Sequence, residues 1–273
     1  MNFNTVSIGG FFLGTVILVV LAIETGFRLG RFVHMRSDAE KESPVSAISG
    51  ATMGLMAFIL AFTFAIVADR YETRKALVRE DANVIRTAFL RADFLPEADR
   101  QTATGLLAEY LDFRLAAGVS GDPDKLGKVV AESGRIQRQL WNMAVANARL
   151  DMNSDVAALY IESLNEMTNL HALRMTVVLG TRLPDEIWTA MFVLLALSMM
   201  GFGYQTAIAG SQRSWATPFM ALSFALVVVL IAALDRPLSG YFIASQQPLM
   251  DLRAEMTTSF ELRKQGQEMP GRD

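Results

Sequence analysis

The side chains that could do chemistry here are two histidines and a scatter of carboxylates, with no cysteine anywhere. His34 stands in a short polar stretch and His171 on a predicted helix, and neither has a second histidine or a carboxylate at metal-ligand spacing. Glu80-Asp81 and the group Asp38, Glu40 and Glu42 could in principle pair for general acid–base work, but their charged surroundings predict solvated helix and loop faces. No glycine-rich loop runs into Lys-Ser/Thr, and no G-x-G-x-x-G follows a strand. Gly201-Phe-Gly203 lies inside an apolar run, where it predicts helix packing or a kink. The lack of cysteine excludes disulfides and thiolate chemistry, and the lack of a basic block gives no indication of nucleic-acid binding. No catalytic residue, cofactor site or metal site is predicted, and the chain is not expected to be an enzyme. The charges with the most suggestive placement are Asp69, Arg70 and Arg74, which follow directly on a long apolar run.

The elements that must position those charges are membrane helices. Of the 273 residues 52 % are hydrophobic and 19 % charged, and the mean hydropathy is +0.29. The charges avoid four runs, roughly 8–23, 44–68, 187–212 and 214–234, each near the length of about 20 residues needed to cross hydrocarbon. A polytopic membrane protein follows. Arg28 and Arg31 after the first run, with no basic segment before it, predict a retained helix rather than a cleaved signal. Glu24 and Arg28 are spaced to pair across one helical turn. Gly10-x-x-x-Gly14, Gly26-x-x-x-Gly30 and Gly50-x-x-x-Gly54 are small-x-x-x-small patterns, which predict tight packing of the first helix on the second. Beyond Glu24 the spans hold no ionisable group, which argues against an ion-coupled carrier.

The second run is the organising one. Neither Gly nor Pro lies between Leu55 and Leu95, so one helix is expected to leave the bilayer and continue as a stalk. Its apolar positions there, Tyr71, Val78, Ala82, Ile85, Phe89 and Ala92, mark a single helical face. Leu95-Pro96 ends the stalk, and Gly118 to Asp124 reads as a loop. Helices are expected over 97–117, 123–149 and 152–179, then a short amphipathic helix from Pro248 and a disordered tail from Gln265. No stretch alternates with period two. The fold class is therefore all-α, with residues 1–68 carrying membrane helices one and two and 69–186 a helical region continuing helix two. Residues 187–235 then carry helices three and four, and 236–273 the tail. Four crossings put both termini and the helical region on one side. That side has Arg70, Arg74, Lys75, Arg79, Arg174, Arg182, Arg236 and Arg253 near the membrane, against Arg28, Arg31, Arg36, Lys41 and Arg213 opposite. The positive-inside rule makes it cytoplasmic.

Several segments together are similar to a known family. Leu60-Ala-Phe-Thr-Phe64, Asp69-Arg-Tyr-Glu-Thr-Arg74, Glu80-Asp-Ala-Asn-Val-Ile85, Leu90-Arg91, Leu95-Pro96, Ser163-Leu-Asn-Glu-Met167, His171 with Arg174, and Leu234-Asp-Arg-Pro237 with Gly240 resemble the bacterial bestrophin-like membrane proteins, a family itself without an assigned activity. The resemblance marks Glu80, Asn83, Asn165, Glu166, Arg174, Asp235, Pro237 and Gly240 as structural motif positions. Glu80, Asn83, Asn165, Glu166 and Arg174 are expected to meet in an internal polar network. The looser likeness to bestrophins proper implies a homo-oligomer, a pentamer in those channels, that conducts small inorganic ions through a pore lined by the second helix. On that helix Phe58, Phe62 and Ile66 have the spacing of the bestrophin neck, whose ring could gate by dewetting, and Asp69, Arg70 and Arg74 would stand at the pore mouth. Arg70 and Arg74 also suit headgroup anchoring. The acidic calcium cluster of the eukaryotic channels is reduced here to Asp235, Asp251 and Glu255, so calcium gating is not expected. The other reading is a non-conducting scaffold or sensor in the lipid bilayer, whose helical bundle binds a partner.

Overall fold

The structure is a computed structural model and describes residues 6–35, 42–119, 123–180, 182–210, 216–236, 242 and 244–267. Every regular element among them is helical. In chain order these are α1 (Ile8–His34), α2 (Glu42–Arg91), α3 (Glu97–Val119), α4 (Pro123–Ala148), α5 (Asp155–Gly180), α6 (Asp185–Ile208), α7 (Ala216–Asp235) and α8 (Gln247–Gln267). A single 3-10 turn, Ala92–Phe94, follows α2. Helices α1, α2, α6 and α7 are each long and apolar enough to cross a membrane. The chain forms two compact units, one of residues 1–71, 182–236 and 240–242, the other of 72–181, 237–239 and 243–273. The helix α2 contributes to both.

In the first unit, α1 begins where the Ser7 side chain accepts a hydrogen bond from the Gly10 N–H at 3.0 Å, which satisfies one of the donors left over at a helix start. It runs past Glu24, Arg28 and Arg31 to His34, farther than its apolar run alone predicts. The Glu24–Arg28 pair closes at 2.7 Å, and Arg31 falls in the last turn, where positive charge suits the helix dipole. The buried stripe of α1 is Phe11, Thr15, Val19, Ile23, Gly26 and Gly30. It meets α6 as a parallel neighbour, since Phe11 lies 4.9 Å from Trp188 while Gly26 and Gly30 lie against Met200 and Tyr204.

The two helices converge until their backbones touch. A Cβ on Gly26 would stand 1.9 Å from the Met200 carbonyl oxygen, and one on Gly203 would stand 2.1 Å from that of Ile23. Of the three glycine pairs expected to hold α1 to α2, only Gly26 and Gly30 are in close contact, and their partner is α6. Gly14, Gly50 and Gly54 face open space. In lipid there is no hydrophobic drive between helices, so close backbone approach supplies the attraction. The other face of α6 meets α2, where Ser198 donates to the Thr52 carbonyl at 3.1 Å and Gln205 donates to Ser46 at 3.0 Å. Gly210, with φ of +66°, takes the left-handed conformation that commonly ends a helix just past its cap.

The second unit packs α3, α4, α5 and α8 with the distal part of α2. Its core includes Val78, Ala82, Ile85, Phe89 and Ala92 from α2, the face that the spacing predicts. Helix α5 starts at Asp155 rather than at Met152. Asp151 closes a turn by accepting from the Asn153 N–H at 3.1 Å, and Ser154 caps the helix by accepting from the Ala157 N–H at 3.2 Å. Helix α8 buries Leu249, Leu252 and Met256 and continues through Gln265 to Gln267, which were expected to be disordered. Arg253 grips Asp112 through two hydrogen bonds of 2.6 and 3.1 Å.

The α1–α6 contact yields a prediction. Gly26→Ala and Gly203→Ala should each cost about 1–3 kcal/mol or more, because the obstructing atoms are backbone. Gly14→Ala and Gly54→Ala should stay within about 0.5 kcal/mol of the parent. Thermal melts of the four variants in one mild detergent would read the difference; equal melting points would refute the backbone contact.

Candidate functional site

Two places concentrate the predicted residues. The first is the membrane part of α2. Met56, Leu60, Thr63 and Val67 form its buried stripe, whereas Phe58 and Phe62 are 64 % and 58 % exposed. The two rings stack along the helix with centroids 6.3 Å apart and planes 15° from parallel. Ile66 differs. It is half-buried against the core of the first unit, and Ala65 takes the exposed position after Phe62. The physical reason is helical drift: at 3.6 residues per turn, a step of eight residues rotates a side chain about 80° off the starting face.

The charges that follow divide in the same way. Asp69 is exposed. Arg70 is half-buried and lies 3.7 Å from the Asp235 carboxylate, which also accepts from the Leu183 N–H at 2.9 Å. Arg74 is buried, at 5 % exposure. Neither arginine is on the exposed stripe within this chain, so of the three expected mouth charges only Asp69 shares the side of Phe58 and Phe62. Asp235, a motif position, thus ties the end of α7 to α2 and to the segment before α6. Pro237 and Gly240 lie outside the described residues.

The second place is inside the second unit. The Asp81 carboxylate on α2 is fully buried. Its Oδ2 accepts from Arg114 Nε on α3 at 2.9 Å and from Arg174 Nη1 on α5. Arg114 Nη1 lies 3.0 Å from His171 Nδ1, the Tyr110 hydroxyl lies 3.3 Å from the same nitrogen, and Gln137 of α4 donates to that hydroxyl at 3.3 Å. Nδ1 therefore serves as an acceptor and the imidazole is neutral. Burial first, and the Arg114 charge second, push His171 down to about 4. Burial pushes the Tyr110 hydroxyl up to about 12. Within this cluster two guanidiniums face one carboxylate.

This cluster replaces the network expected from the motif positions. Arg174 belongs to it, but Glu80, Asn83, Asn165 and Glu166 are exposed on this chain. The buried stripe of α2 runs through Val67, Arg74, Val78, Asp81, Ala82 and Ile85, which puts Asp81 inside and Glu80 outside. The signal was present in the sequence, because Arg74 and Asp81 keep the spacing of the apolar residues around them. Arg114 and Tyr110 keep the same spacing with Ala103, Leu107 and Leu111 on α3, but nothing along one chain pairs them with Asp81, and half-buried Gln137 had no such signal. Among the described residues no group of three or more His, Asp or Glu converges to hold a metal ion.

Two measurements separate these assignments. Asp81→Asn, which strands two buried cations, should cost about 3–5 kcal/mol, while Glu80→Gln should cost less than about 0.5 kcal/mol. Denaturation of the two variants decides which acid is internal. His171 has a lowered folded value, so its contribution to stability is fully present above pH 6.5 and is lost as pH falls toward about 4. Stability followed across that range should fall more steeply in the parent than in His171→Gln; parallel curves would show that His171 does not titrate as a buried neutral group.

The geometry has counterparts among known proteins. A family model for the bestrophin-like domain matches residues 14–249. Two crystal structures of a bacterial bestrophin homologue from Klebsiella pneumoniae, each with a point substitution, are similar. In one, identity is 16 % and TM-score 0.64, over 91 % of this chain and 97 % of that one. In the other, identity is 16 % and TM-score 0.58, over 92 % and 99 %. A crystal structure of a membrane protein variant gives 15 % identity and a TM-score of 0.63 over 91 % and 97 %. At such identity the likeness is one of fold. No curated protein sequence matches the chain. With four helices fit to cross a bilayer and a family match over most of its length, the chain belongs to the bestrophin-like family of membrane proteins.

Proposed function

We propose that this chain is a subunit of a homo-oligomeric ion channel of the bacterial inner membrane, with α2 nearest the symmetry axis. The observation that carries the reading is the stacked pair Phe58 and Phe62, exposed on a membrane-spanning stretch of α2 whose opposite stripe is buried. Repeated around an axis, as in the pentameric bestrophins that the sequence resembles, the pair forms two aromatic rings narrow and apolar enough to gate by dewetting. Asp69, on the same side of the helix, sets a ring of negative charge beyond them, while Ile66 lends a flank rather than a third ring. Arg70 and Arg74 act from inside the subunit, holding α2 in place. The second unit, with α2 as its stalk, stands in the cytoplasm.

One observation favours the scaffold or sensor reading. Leu150 and Met152, in the turn between α4 and α5, are 82 % and 81 % exposed, an apolar tip suited to a partner protein. The two readings separate by experiment. Light scattering on the full chain in detergent should give a protein mass near five times 30.0 kDa, and reconstituted liposomes should pass small ions. Phe62→Ala should raise the flux severalfold and Asp69→Asn should shift the cation-to-anion ratio. A monomer or dimer that persists in mild detergents and nanodiscs sinks the channel reading. A pentamer without flux leaves the scaffold in its place.

A further inference from the structure

The parallel helices α1 and α6 touch backbone to backbone at Gly26 and Gly203, and toward their N-terminal ends they meet through the rings of Phe11, Trp188 and Phe192. Beside those rings is a groove of about 610 Å³ whose walls include Gly10, Phe11, Gly14 and Leu18 of α1 and Phe192 and Ala196 of α6. The two hydroxyls on it are spent within their own helices, Thr15 on the Phe11 carbonyl and Thr189 on the Asp185 carbonyl, so the surface offered is apolar. Gly10-x-x-x-Gly14 is the pattern that the packing of α1 left unused, and a side chain at Gly14 would meet nothing within 4 Å.

A cationic side chain stands at the outer end. Arg236 bonds the Val6 carbonyl and lies over the Phe11 ring at 5.3 Å, so it is fixed to two groove residues. Arg182 is close enough for its charge to act on Arg236. Asp235, whose charge also acts on Arg236, accepts from the Leu183 amide and lies 3.7 Å from Arg70. Asp185 and Glu186 stand in the first turn of α6, where acidic side chains offset the positive end of that helix's dipole.

We infer that this groove is a binding site for one anionic phospholipid, its acyl chain between α1 and α6 and its phosphate at Arg236 and Arg182. Charge complementarity selects the headgroup, because a guanidinium matches phosphate oxygens with paired donors. Depth selects lipid over a helix of a second copy. From Gly10 to Leu18 the α1 wall covers about 12 Å at 1.5 Å per residue, which fits within one leaflet of a hydrocarbon core about 30 Å thick. A neighbouring helix would need a seam through both leaflets, and this groove ends where α1 and α6 converge.

Native mass spectrometry of the full chain with equal amounts of phosphatidylglycerol and phosphatidylcholine tests the site. The parent should retain phosphatidylglycerol over phosphatidylcholine by about tenfold, the size of one charge-assisted hydrogen bond. Arg236→Gln, or Arg182→Gln if the first variant fails to fold, should bring the ratio toward one. Gly14→Phe, or the smaller Gly14→Leu, should lower bound lipid of both kinds in protein that still melts like the parent. Equal retention of the two lipids by the parent overturns the inference, as does unchanged phosphatidylglycerol occupancy in the Gly14 variants. A Gly14 variant that lowers the oligomer mass but keeps its lipid assigns the groove to a second copy and overturns it too.

Discussion

One carboxylate oxygen, Asp81 Oδ2, holds three helices of the second unit together. It takes a hydrogen bond from Arg114 on α3 and another from Arg174 on α5, and α4 joins through Gln137 and Tyr110. Removing such charges from water costs several kcal/mol each, and the cost is met only if every charge finds its partner in good geometry. That requirement makes the arrangement of α2, α3 and α5 narrow. An apolar core tolerates sliding and repacking; a buried carboxylate shared by two guanidiniums does not. Neutral His171 completes the cluster, since a protonated ring there would add a further cation beside two arginines.

The first unit solves the opposite problem. Its helices lie in lipid, where apolar side chains gain nothing by leaving one hydrocarbon environment for another, so they hold together by close approach and a few hydrogen bonds. Backbone contact at Gly26 and Gly203, with Ser198 and Gln205 reaching α2, supplies both. At the other end the rings of Phe11, Trp188 and Phe192 stand between α1 and α6, and a groove opens beside them.

The helix α2 carries both kinds of chemistry on one stripe. Its inner face is Met56, Leu60 and Val67 in the apolar span, and then Arg74, Val78 and Asp81. Its outer face is Phe58 and Phe62, and then Asp69 and Glu80. Inner residues specify how the subunit folds, so the charges among them are structural. Outer residues are left for lipid, for other copies, or for a pore. A channel built on this subunit would therefore draw its neck and its field from the outer stripe.

The sequence by itself determined the helical class, the four apolar spans and the unbroken course of α2, because these depend on composition, length and the absence of Gly and Pro, all local properties. It also determined the apolar stripe of the stalk, since a 3.6-residue period can be read along one chain. The exchange of Asp81 for Glu80 as the internal acid was within reach of the same period. Only the tertiary structure decided which helix takes the glycines of α1, because a small-x-x-x-small pattern names a surface without naming its partner. Only it brought Arg114, His171 and Tyr110 to Asp81, and Asp235 to Arg70. Such pairings join residues up to 165 positions apart, and whether a charge is buried depends on what packs over it.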